Sequence, residues 1–429
     1  MASGNHDLAW PTFLGGGLLL LILILILILN APIVIWLAQP GRLPNNGVVR
    51  PETEHGDIQR FWLMSEIQYR GRRAHVLSNG TLEIIVTVEG GHIAEVRDKA
   101  TGLNPLWAPP WPTMEPSQYD QAKHPQYGSD SESKLLAGIL GHNLCLDTFG
   151  GPSEAEAAAG MTVHGEASVS AHDITVRGDT LTQAVVLKEA RLRFTRHIQL
   201  PAAARAATIT ETVENLSALD RPIAWTEHAT LGPPFLEKGR TQFRVTATRS
   251  KVIENDFTGG KGHTRIGAEF DWPMVPCVDG SFEDLRVFTN RPVSGGFTTH
   301  LMDPEREKAL FSAWSPTHRF AFGYLWNQKD FPWLGIWEEN HLRLSAPWNG
   351  VTLTRGMEFG VSPFPESRRA MIQRNGLFGA PGYCWAPARR EVSVRYRVFL
   401  IPASECIERA ECVERESVVV SERPPGSSL

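Results

Sequence analysis

A large antiparallel β-sandwich is the fold class this sequence predicts, and three observations predict it. Short runs of strand character follow one another at turn-sized intervals along most of the chain. Helical signals are few, and strands do not alternate with helices as a parallel sheet would require. No repeat of fixed period points to a propeller or a solenoid. At 429 residues the chain is longer than an average domain, yet all-β folds of this size form single units.

The strand signals begin at Ala74–Leu77 and continue through the Asn79-Gly80 turn into Leu82–Val88, then His92–Asp98 after Gly90-Gly91. Further strands are expected at 167–176, 181–189, 192–200, 207–215, 222–231, 242–248, 309–314, 320–326, 335–338, 356–361 and 391–401. Ala155–Ala159 and Cys406–Glu416 are the two helical expectations. The domain expectations are a hydrophobic N-terminal segment at 1–38, a Pro-, Gly- and Asn-rich linker at 39–60, a sandwich at 61–405, and a charged, partly disordered tail at 406–429.

Residues 18–29 are an unbroken run of Leu and Ile. With Phe13, Leu14 and the 33–38 segment they reach the roughly 20 apolar residues that cross a bilayer. The stretch 13–38 therefore reads as a membrane anchor or an export signal. Asp7 precedes it without any Lys or Arg, and Arg42 and Arg50 follow, which by charge would leave the body on the cytoplasmic side. A start codon set too far upstream is the alternative, and it makes the protein cytoplasmic.

Composition narrows the function. Forty-two basic against 47 acidic residues give a net charge of -5, without the basic excess that phosphate backbones demand, so nucleic acid is not an expected partner. The five cysteines are scattered, with no pair at metal-site spacing, so neither a disulfide scaffold nor a zinc site is indicated. Tryptophans sit beside prolines in LWAPPWP (106–112) and DFPWLGIW (330–337). Trp faces held by proline suit the apolar faces of pyranose rings, or cap the ends of the sandwich core.

Three stretches carry titratable groups beside glycines: MTVHGEASVS with His164, WTEHATLGPPFLE with His228, and LTRGMEFGVSPFPE with Glu358. In the second, alternation sets Trp225 and Glu227 on one side of a strand and Thr226 and His228 on the other, ahead of the Gly232-Pro233-Pro234 turn. Gly165 after His164 permits a ligand to approach closely, or serves a β-bulge.

In the order His, His, Glu, and in its opening Gly90-Gly91-His92-Ile93 step, the chain resembles the aldose 1-epimerase (galactose mutarotase-like) superfamily over roughly 74–401. The aromatic-Phe-Asn continuation after the second histidine is absent here, where His228 runs into Ala229-Thr230-Leu231-Gly232. No Gly-Arg-x-x-Asn-Arg segment precedes His164; that region reads GHNLCLDTFGGP. The resemblance implies a sugar cleft on one face of the sandwich, with cofactor-independent interconversion of sugar anomers as its activity. It assigns Glu358 as base, His228 as acid, and His164 as a hydrogen-bonding partner of the sugar, the histidine and carboxylate standing on opposite sides of one pyranose. Asp147, Asn143, Trp337 and Glu338 are the further candidates for lining the cleft. Two other functions fit the same residues: a non-catalytic, membrane-tethered carbohydrate-binding protein, and a glycoside-cleaving enzyme using Glu338 and Glu358 as paired carboxylates.

Overall fold

The computed structural model describes residues 66–416. The hydrophobic segment, the linker and the last thirteen residues of the expected tail lie outside the described residues. Chain contacts divide the protein at Phe61 and Trp62, so every described element belongs to the second unit.

Two large antiparallel sheets, of twelve and eight strands, build the unit, with two small two-stranded sheets beside them among the described residues. Five neighbouring strands of the larger sheet carry the site: β1 (His142–Asp147), β2 (Arg221–Leu231), β3 (Ser294–Met302), β4 (Trp333–Asn340) and β5 (Arg355–Gly360). Across the sheet they lie in the order β1–β2–β5–β4–β3. The smaller sheet runs from Gln242–Val245 through Lys308–Ser315, Phe320–Asn327, Glu391–Pro402 and Ala206–Asn215 to Asp173–Arg177.

The inner faces meet in one apolar core. Leu144, Trp225, Ile336 and Phe359 from the larger sheet pack with Phe194, Phe311, Phe322 and Val398 from the smaller. Burial patterns tell the two sheets apart. Leu192–Gln199 alternates buried and exposed residues, as a sheet with one wet face must. All residues of β1 and β5 are buried, as is β2 from Ile223 onward, so the outer face of the larger sheet is covered as well.

Helix α1 (Ser133–Gly138), missed in the sequence, contributes to that cover. Helix α2 (Glu154–Ala158) falls on the expected alanine patch and starts with a capping box, in which Ser153 and Glu156 satisfy each other's backbone amides. Helix α3 (Arg368–Arg374) follows β5, and α4 (Ala410–Glu416) packs Val413 against the smaller sheet. No helix among the described residues is long and apolar enough to cross a membrane.

Candidate functional site

Cross-strand pairing alone builds the floor of the site. Asn143 on β1 pairs with His228 on β2, His228 with Glu358 on β5, Glu358 with Gly335 on β4, and Gly335 with Thr299 on β3. Directly paired residues share a face. The five therefore form one row across the outer face, and the strand period sends Glu227 and Phe359 inward. His228 lies three residues inside its strand with both neighbours paired, in the body of the sheet instead of at a free strand end.

His164 reaches this row from a loop. Its amide donates to Gly150 O and its carbonyl accepts from the amide of Leu146, each at 3.2 Å, so the loop is laced to the end of β1. His164 has φ +61° and Gly165 φ +80°. A Cβ on Gly165 would stand 1.9 Å from Leu146 O, so this glycine serves the close approach of loop to strand, neither a bulge nor a ligand. The imidazole then lies 5.1 Å from that of His228, centre to centre.

Within the row, His228 Nδ1 is 3.1 Å from Thr230 Oγ1, and Nε2 is 3.0 Å from Glu358 Oε1. That second contact is close without being aligned as a hydrogen bond, and Oε1 is buried with no well-placed donor. Asn143 Nδ2 donates to His164 Nδ1 at 3.2 Å, while Asn143 Oδ1 is buried without a partner, as are Thr226 Oγ1 and Thr299 Oγ1 on the same face. Orphaned buried polar atoms are rare in native proteins, and of those on this face the carboxyl oxygen of Glu358 borders open space where a ligand can meet it. Burial, then the neighbouring His228, holds the His164 imidazole well below the usual histidine range, so it stays neutral at physiological pH. The same burial, then Glu358, pushes the Cys145 thiol up, and Cys145 is no thiolate nucleophile.

A cavity of about 860 Å³ including its open mouth stands over the row. His164, His228 and Glu358 are its titratable floor. Trp337 lines it with its ring 5.9 Å from that of His228. Gly356 makes this possible, because a Cβ there would meet Glu358 Oε1 at 2.6 Å and Trp337 Cβ at 3.3 Å.

The remaining expected residues divide. Asn143 lies beneath His164 as its hydrogen-bond partner. Asp147 is not free for a ligand: it is buried and bound to Arg221 at 2.5 Å and Arg368 at 3.1 Å. Glu338 alternates with Trp337 and so faces the other side of the sheet, where Arg355 holds it at 2.5 Å. Glu338 and Glu358 thus project from opposite faces, and the paired-carboxylate arrangement for glycoside cleavage is absent. Nor do His228 and Glu358 flank a pyranose: they touch, because their strands pair directly. Trp107 and Trp111 stand behind the cavity, stacked 6.2 Å and edge-on 5.2 Å from Trp348, and Trp333 is buried with its indole donating to Pro381 O. Sequence reasoning missed Trp348, Leu135, Leu136, Phe257, Phe297 and Arg343, all of which line the cavity. Pro347-Trp348 carries the same proline-tryptophan signal as the stretches at 106–112 and 330–337.

No family model matches the chain, and no curated protein sequence matches it. Solved structures do. A candidate aldose 1-epimerase from Klebsiella pneumoniae subsp. pneumoniae aligns at 12% identity with a TM-score of 0.57, covering 81% of this chain and 82% of that one. A galactose mutarotase-like protein from Clostridium acetobutylicum aligns at 13% identity and a TM-score of 0.51, over 79% of this chain and 98% of its own. A candidate aldose 1-epimerase from Escherichia coli K12 aligns at 12% identity and 0.51, over 77% and 99%.

Proposed function

The described unit has the galactose mutarotase-like fold, and from that premise we propose that it interconverts the anomers of a reducing sugar, with His228 and Glu358 acting as one coupled acid–base pair. The observation that supports this reading is their 3.0 Å contact, buried yet misaligned, at the floor of a cavity with a tryptophan wall.

Anomer exchange moves one proton from the C1 hydroxyl to the ring oxygen. Those two oxygens are bonded to the same carbon, so a base and an acid that touch each other match them better than groups on opposite sides of the ring. The pair works with one proton between its members. Glu358 takes the hydroxyl proton while the imidazolium of His228 gives its Nε2 proton to the ring oxygen. The C1–O5 bond breaks and the free aldehyde turns about C1–C2. Ring closure from the other face runs the same transfers backwards: Glu358 returns its proton to the C1 oxygen and Nε2 takes back the proton of the C5 hydroxyl, which restores the pair. Thr230 Oγ1 then accepts from Nδ1–H and fixes the ring's orientation. Neutral His164, with Nδ1 occupied by Asn143, presents Nε2–H to a sugar oxygen. A positioned acid or base contributes about 10²- to 10⁴-fold each.

Polarimetry of a freshly dissolved aldose tests the reading. Glu358→Gln should abolish enzyme-dependent anomer exchange while the circular dichroism spectrum stays that of the wild type. Undiminished exchange would remove the pair from the chemistry.

A further inference from the structure

We infer, resting on the proposed sugar chemistry, that the ligand is a neutral 6-deoxy sugar, one in which a methyl group stands where a common hexose carries a hydroxymethyl. A hexose ring oxygen and C1 hydroxyl occupy the histidines and Glu358. The other four hydroxyls each need partners when buried, and an unpartnered hydroxyl is costly.

The walls offer few such partners. Leu135, Leu136, Ile139 and Val163 form one side, and Ile253, Phe257 and Phe297 the other. Beyond the floor, the charged or amide side chains are Glu132, Asn255 and Arg343. Arg343 is already committed to Glu132 at 3.1 Å and Glu339 at 3.3 Å, and its guanidinium lies 4.9 Å over the Trp348 ring. With Arg343 matched by two carboxylates, His228 by Glu358 at 3.0 Å, and His164 neutral, no unmatched cation among the described lining residues is left to receive a phosphate or a carboxylate. The cavity is thus polar where C1 chemistry happens, apolar along the body of the ring, and unsuited to anions.

Matched pairs test this on the full chain: glucose against 6-deoxyglucose, galactose against fucose of the same hand, L-mannose against L-rhamnose, and glucose 6-phosphate. Dissociation constants come from ligand-observed NMR, and exchange rates from saturation transfer between anomeric protons. Each deoxy sugar should bind, and exchange by kcat/KM, about tenfold or more better than its parent, the scale on which an apolar pocket rejects an added hydroxyl. The isosteric Val163→Thr should narrow that ratio. Equal or better use of the parents, or preference for the phosphate, would overturn the inference and leave the proposed activity standing. A binding preference for deoxy sugars without exchange would support the ligand class and overturn the activity. No binding by any of them would overturn both.

Discussion

Strand β2 separates two buried polar assemblies that differ in how fully they are satisfied. On its inner face, between the sheets, Glu227 accepts from Arg196 at 3.0 Å, from Tyr396 at 3.0 Å and from Trp225 at 3.2 Å, and contacts His142 at 2.7 Å. Glu211 completes the cluster through Arg196, Tyr396 and Trp225. No side-chain nitrogen or oxygen of these residues is left without a partner. On the outer face, Thr226 of the same strand and Asn143, Glu358 and Thr299 of other strands in that sheet each leave a polar atom unpaired. The closed network holds the sandwich together; the open one is held by the backbone pairing beneath it, and its Glu358 borders the cavity.

Substitutions on the two faces should therefore separate stability from activity. The largest expected effect is on the inner face. Arg196→Met leaves two carboxyl groups buried without their cation and should cost about 3–5 kcal/mol of stability in chemical denaturation. Outer-face His228→Asn should lower anomer exchange about 10²- to 10⁴-fold with a denaturation midpoint close to the wild type. Similar destabilisation by both would erase the distinction. Glu338→Gln breaks the buried contact to Arg355; its denaturation midpoint should drop while exchange per folded molecule is retained, since Glu338 faces away from the cavity. A loss of exchange per folded molecule would put Glu338 back in the site.

The smallest effect is a pH slope. Burial, opposed by Arg196 and reinforced by Glu227, raises the Glu211 carboxyl from 4.5 to about 8. The native state thus prefers the protonated form. The stability this contributes is complete below the unfolded value and is lost as pH climbs from about 4.5 to about 8. Thermal scans across that window should show a decline that Glu211→Gln flattens; an unchanged slope in the variant would assign it to other groups.

The split between faces is legible in part from the sequence. Alternation in WTEHATLG separates Trp225 and Glu227 from Thr226 and His228, because a strand's period of two is a local property. Which strands neighbour it is not local. The pairings that join Asn143, His228 and Glu358 span more than 200 residues of sequence, and only the assumed likeness to a family suggests that they meet. Two of the five site strands give no clear strand signal. β3 opens with Ser294-Gly295-Gly296, which reads as a turn, and β1 is a short run that ends in Asp147 with φ +73°. Glu338 misleads because a carboxylate beside a tryptophan on a strand looks like a site residue, whereas alternation turns it inward to Arg355. The apolar cavity wall escapes sequence reading because α1 is only six residues long and too short for a helical period to show.

The coupling between His228 and Glu358 is most directly measured by a double-mutant comparison of anomer exchange in Glu358→Gln, His228→Asn and the two combined. If they act as one unit on adjacent sugar oxygens, the double variant should be no slower than the slower single variant. Losses that multiply would show two independent groups and contradict the shared-proton account.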